Sequence, residues 1–71
     1  MQTITVSTQA ELNAALKLGD VEIVIDRDGY FYASVYTGSP IIRVAGRTNI
    51  TVEAWGSSDP HLVVTHGRYR S

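Results

Sequence analysis

Seventy-one residues with a net charge of −1 and no cysteine make one domain near the small end of what folds alone, and they exclude disulfides and cysteine-ligated zinc as staples. A core of this size supplies roughly 3–5 kcal/mol, so the 44% apolar fraction must suffice by itself or be helped by a second chain, and a homodimer is a reasonable expectation. A slightly acidic chain also matches poorly to a nucleic-acid module, which at this size is normally basic.

The opening Met1-Gln2-Thr3-Ile4-Thr5-Val6-Ser7 has neither a basic leader nor an apolar leader core, and no apolar run approaches a membrane span. The expectation is a soluble protein of the host-cell cytoplasm with no membrane partner. Residues 3–7 alternate β-branched and polar side chains and predict a first strand. Thr8-Gln9-Ala10-Glu11 is a capping-box signature, with Thr8 at the N-cap and Glu11 three residues on. Helix formers run through Leu18, with Leu12, Ala15 and Leu16 on one side, and Gly19 offers a left-handed residue to end the helix. Val21-Glu22-Ile23-Val24-Ile25 is rich in β-branched residues and predicts a strand buried on at least one face. Asp26-Arg27-Asp28-Gly29 predicts a turn.

Residues 30–36 alternate strictly: Phe31, Ala33 and Val35 make the core face, while Tyr30, Tyr32, Ser34 and Tyr36 make the other. After the break at Thr37-Gly38-Ser39-Pro40, three similar phrases each close on glycine. They are Ile42-Arg43-Val44-Ala45-Gly46, Val52-Glu53-Ala54-Trp55-Gly56 and Val63-Val64-Thr65-His66-Gly67. The glycines stand ten and then eleven residues apart, so the unit is one short strand plus one turn. Alternation within the phrases places Ile42/Val44, Val52/Ala54 and Val63/Thr65 on one face, with Arg43/Ala45, Glu53/Trp55 and Val64/His66 on the other.

The predicted fold is therefore a single β-rich α+β domain over residues 1–71. Residues 1–26 form a β-α-β cap, and residues 27–71 form short rungs, so that one N-terminal helix caps stacked strands like a truncated β-helix. An antiparallel α+β meander of hairpins satisfies the same alternation. The regular glycine spacing favours the coil.

The helix phrase Gln9-Ala10-Glu11-Leu12, the strand phrase Ile23-Val24-Ile25-Asp26 and the rung Val52-Glu53-Ala54-Trp55-Gly56-Ser57-Ser58 resemble a family of small phage and actinobacterial proteins. In that family a β-α-β cap precedes many VxAxGSSx-type repeats read as a β-helix. Here the repeat phrase is clear once and the flanking rungs are degenerate, so the resemblance implies a capped stub rather than a long shaft. By analogy with small phage and mobile-element inhibitors, anti-CRISPRs among them, it implies a protein that blocks a host defence protein or nucleoprotein complex through surface contacts. A self-associating structural component and a weak nucleic-acid-binding module are the alternative expectations.

No catalytic pattern stands out. His61 and His66 are an odd number of residues apart and fall on opposite faces of a straight strand, which separates them as metal ligands. Asp26-x-Asp28-Gly29 opens like a calcium loop, but Tyr30 stands where the next ligand would fall and Thr37 where the closing bidentate glutamate is needed. No spacing selects a carboxylate pair, and GxSxG, GxGxxG and P-loop motifs are absent. The expectation is a protein without enzymatic activity, cofactor or metal. Binding has better candidates: Tyr30, Tyr32, Tyr36, Arg43, Arg47, Trp55 and Tyr69 are of the residue types that dominate interface hot spots. A tyrosine ladder stiffening a half-exposed sheet accounts for the same stripe without any partner. Charge is also uneven, with a balance of −3 over residues 1–30 and +2 over residues 31–71. The tail Gly67-Arg68-Tyr69-Arg70-Ser71 is suited to guarding an exposed edge or closing a dimer.

Overall fold

Each apolar row read from the sequence needs an opposing row to exclude water, and the chain meets that need by coiling. The computed structural model describes residues 1–45 and 47–65. Its elements are β1 (Gln2–Val6), α1 (Gln9–Leu16), β2 (Val21–Ile25), β3 (Gly29–Val35), β4 (Ile41–Ala45), β5 (Thr48–Ala54) and β6 (His61–Thr65). They form two sheets, one ordered β1-β2-β4-β6 and the other β3-β5, and every pairing is parallel. From β2 onward, consecutive strands alternate between the sheets. One coil thus takes two strands, and β2, β4 and β6 begin at residues 21, 41 and 61. The ten-residue unit of the glycine phrases is half a coil.

The antiparallel meander is excluded by this topology. β2 and β3 are joined by a short turn yet do not pair, because their apolar rows (Ile23 and Ile25; Phe31, Ala33 and Val35) belong to one buried cluster. A hairpin would place those rows side by side in one sheet and leave them without a cover.

Register stacks like on like. Ile4, Ile23, Ile42 and Leu62 form one column across the larger sheet, and Val6, Ile25, Val44 and Val64 form the next. In the smaller sheet Phe31 lies beside Ile50, Ala33 beside Val52 and Val35 beside Ala54. Ile23, Ile25 and Ile42 are fully buried. The expected faces hold for β4 and β5 and reverse for β6. The glycine phrases set Val63 opposite Ile42, a spacing of 21, but the ladder pairs Ile42 with Leu62, a spacing of 20. A shift of one residue flips every side chain, so Leu62 and Val64 continue the inward columns while Val63 lies outward beside Arg43.

The helix occupies the first half-coil and closes that end. Thr8 and Glu11 form the expected capping box, and Leu12, Ala15 and Leu16 are buried. The helix stops earlier than the propensities suggest, with Lys17 as C-cap, and Leu18 is exposed. Gln9 does the work of an absent strand: its Nε2 donates to the Tyr32 carbonyl (2.8 Å) and its Oε1 accepts from the Tyr32 N–H (2.9 Å). Truncating it, Gln9→Ala, is expected to cost about 1–2 kcal/mol, read as a lower urea midpoint with unchanged slope. An unchanged midpoint would show that the β3 edge needs no cap.

The turns stack as well. Asp20 Oδ1 accepts from the Ser39 N–H (2.7 Å), and Thr48 Oγ1 donates to the Arg27 carbonyl (2.6 Å). In both cases a backbone group of one turn is satisfied by a side chain from the neighbouring coil.

Candidate binding face

The inward row of β3 is fixed by Phe31, Ala33 and Val35, so period-two geometry forces Tyr30, Tyr32 and Ser34 outward. The β5 row beside them is Asn49, Thr51 and Glu53, paired in that order with Tyr30, Tyr32 and Ser34. The ladder extends past both strand ends, where the Trp55 N–H donates to the Val35 carbonyl (2.8 Å). Gly56, at φ +62°, then turns the chain away. The Ser58 hydroxyl donates to the same Val35 carbonyl (2.9 Å) and ties the turn back to the sheet. This arrangement sets Tyr36 and Trp55 side by side, their ring centroids 5.9 Å apart and their planes within 9°.

The resulting face is aromatic and accessible. Tyr30 is 86% exposed, Tyr36 68%, Trp55 49% and Tyr32 44%. Tyr32 is the most constrained of the four: its hydroxyl is hydrogen-bonded to the Glu53 carboxylate, which pushes the phenol above its ordinary pKa. Beside Tyr30 and Tyr32 lies an open cleft of about 430 Å³, lined also by Gln9, Phe31, Asn49, Ile50 and Thr51. Among the described residues, none that lines it carries a formal charge.

The other site residues read from the sequence lie apart from this stripe. Arg43 projects from the β1-β2-β4-β6 sheet and pairs with Glu22, which also accepts from Thr3 Oγ1 (2.8 Å). Arg43 first, and Thr3 second, hold the Glu22 carboxyl below the usual carboxylate range. Arg47 sits in the turn before β5 and pairs with Asp28 at 2.6 Å. Tyr69 lies outside the described residues, as do His66 and the basic tail. Sequence reasoning did not single out Glu53, Asn49 or Thr51 as neighbours of the tyrosines. Their only signal is the β3–β5 offset of 19, which emerges from the coil and not from either strand.

His61 lies 3.6 Å from Asp59, both of them exposed. Among the described residues no three His, Cys, Asp or Glu side chains gather as a metal site, and no helix is long and apolar enough to cross a membrane.

Fold and face together define a small, helix-capped, two-sheet parallel β-coil that displays a row of exposed aromatic side chains on its shorter sheet. The chain matches no protein-family model, no curated protein and no solved structure.

Proposed function

We infer that this chain is a non-catalytic binding module that engages a protein with the outer face of the β3–β5 sheet. On the phage-protein resemblance of its cap and rung phrases, its task is to inhibit a host defence protein or nucleoprotein complex by covering a surface, as anti-CRISPRs do. The observation that carries the binding reading is the Tyr36–Trp55 stack, exposed beside Tyr30 and Tyr32 on a hydrogen-bonded sheet. Aromatic rings held in place by a ladder lose little conformational freedom on binding, which is why such residues dominate interface energetics. A tyrosine ladder that served only the sheet would gain more by packing its rings down than by leaving Tyr30 almost wholly in water.

Electrostatics favours a protein surface over nucleic acid. Arg43 and Arg47 are each engaged by a carboxylate, and among the described residues the lining of the cleft beside the tyrosines is uncharged. A phosphate backbone needs available cations, and binding to it weakens steeply with salt.

The test compares the tagged chain with a Tyr36→Ala/Trp55→Ala variant on a bacterial lysate carrying active defence systems. A single stoichiometric partner is expected, bound to the parent and weakened at least about a hundredfold in the variant. Binding that persists in the variant would place the interface elsewhere. The absence of any partner would remove the inhibitor reading.

A further inference from the structure

Two carboxylates of the coil each have an arginine supplied by the neighbouring coil: Glu22 takes Arg43, and Asp28 takes Arg47. Glu53 has no cation within reach among the described residues. Its contact is a hydrogen bond that the Tyr32 hydroxyl donates to Oε1. Register explains the difference. Across the ladder Glu53 pairs with Ser34, and the outward positions next to that pair are Thr51 with Tyr32 on one side and Trp55 with Tyr36 on the other. Outward neighbours stand about 7 Å apart along a strand and about 5 Å apart between strands. One exposed carboxylate therefore sits among three aromatic side chains, two of them stacked on each other.

We propose that Glu53, with Tyr32, Tyr36 and Trp55, receives an arginine side chain of the bound protein. This rests on the reading that the β3–β5 face binds a protein, and it names the chemical group that the face recognises. The carboxylate attracts a cation and repels a phosphate. The Tyr32 hydroxyl holds it through Oε1 and leaves Oε2 without a partner among the described residues, so accepting positions remain for a second donor. The rings around it add to the same preference, because an aromatic face attracts a cation placed within about 6 Å of its centre. Arginine fits better than lysine. A guanidinium gives two parallel N–H bonds to a carboxylate and stacks flat on a ring in the same pose, whereas an ammonium is compact and more strongly hydrated. The far end of the face asks for no second cation, since Asn49 and Thr51 stand beside Tyr30 and Tyr32 there.

The test selects a displayed random-peptide library on the chain and titrates the selected sequences, as synthetic peptides, against the fluorescence of Trp55, the single tryptophan. The selected peptides are expected to share an arginine. Citrulline in its place, which keeps the shape and removes the charge, is expected to weaken binding at least about tenfold, and lysine to weaken it less. Glu53→Gln is expected to show a loss like that of citrulline while keeping the parent's far-ultraviolet circular dichroism. The citrulline comparison is made on the parent chain and does not depend on how the variant folds. A library that yields no binder, selected peptides without arginine, a citrulline peptide that binds equally well, or a folded Glu53→Gln that binds like the parent each overturns the proposal. Arg68 and Arg70 lie outside the described residues, and Arg68→Gln/Arg70→Gln controls for them. Unchanged affinity is expected, and a tenfold rise would make the chain's own arginines the occupants and overturn the proposal. The two readings fail separately: a lysate partner lost with Tyr36→Ala/Trp55→Ala but kept by Glu53→Gln overturns this one alone.

Discussion

Gly38→Ala is expected to destabilise the protein by about 2–4 kcal/mol, although it adds one methyl group in an exposed turn. Gly38 has φ +77°, a region that side-chain-bearing residues rarely adopt. A Cβ there would lie 2.8 Å from both Cα and the carbonyl carbon of Gly19, and 2.9 Å from Asp20 Oδ1. Two of those three contacts are backbone, which cannot swing aside. The third belongs to the carboxylate that accepts the Ser39 N–H, so relief by moving Asp20 sacrifices the link between neighbouring turns. Gly19→Ala is the control. Its φ is similarly positive, at +85°, but the nearest atom to its Cβ is Thr37 Cγ2 at 3.9 Å. That substitution should cost only the left-handed backbone term, about 1–2 kcal/mol. Urea unfolding of both variants separates strain from crowding, and equal losses would mean that the turns do not stack as closely as described.

Ile25→Ala is expected to cost about 2–5 kcal/mol, most of the roughly 3–5 kcal/mol that a core of this size supplies. Ile25 is fully buried between Val6 and Val44 in its column, with a rung on either side. A cavity there is walled by ladders whose register cannot shift without turning apolar side chains outward, so it collapses poorly. Ile4→Ala supplies the comparison. It removes the same atoms from a half-buried position on the outermost strand β1, and its cost should be less than half as large. Thermal unfolding followed by circular dichroism measures both. A similar loss at the two sites would contradict a core that is graded from the middle of the coil to its ends.

These expectations and the binding proposal rest on the same device. Parallel stacking buries one row of each strand and displays the other without further folding. In β3 the displayed row is tyrosine, and the adjacent β5 row contributes Glu53 and, one residue past the strand, Trp55. The backbone under the face is therefore held by the same ladder that holds the core, and a partner binding there would meet rows already set in order.

What local chemistry dictates was legible from residue order alone. The capping box at Thr8 and Glu11, the buried stripe Leu12, Ala15 and Leu16, the period-two rows of β3 and the left-handed glycine at 19 depend only on neighbours a few positions away. The tyrosine stripe belongs to this group, since Phe31, Ala33 and Val35 decide its direction. Three features depended on contacts between residues about 20 positions apart. Alternation cannot say whether two strands joined by a short turn pair or face each other; burial of both apolar rows decides that, and it excluded the meander. Nor does the glycine spacing set the β6 register, because the ladder aligns side-chain columns and tolerates a turn one residue longer. Trp55 meets Tyr36, and Arg43 meets Glu22 instead of the aromatic face, because sheet membership alternates along the chain. The sequence determined what each strand shows on either side; the tertiary structure decided which sides come together, since only the closed coil compares offsets of 19, 20 and 21 residues and keeps those that bury the most apolar surface.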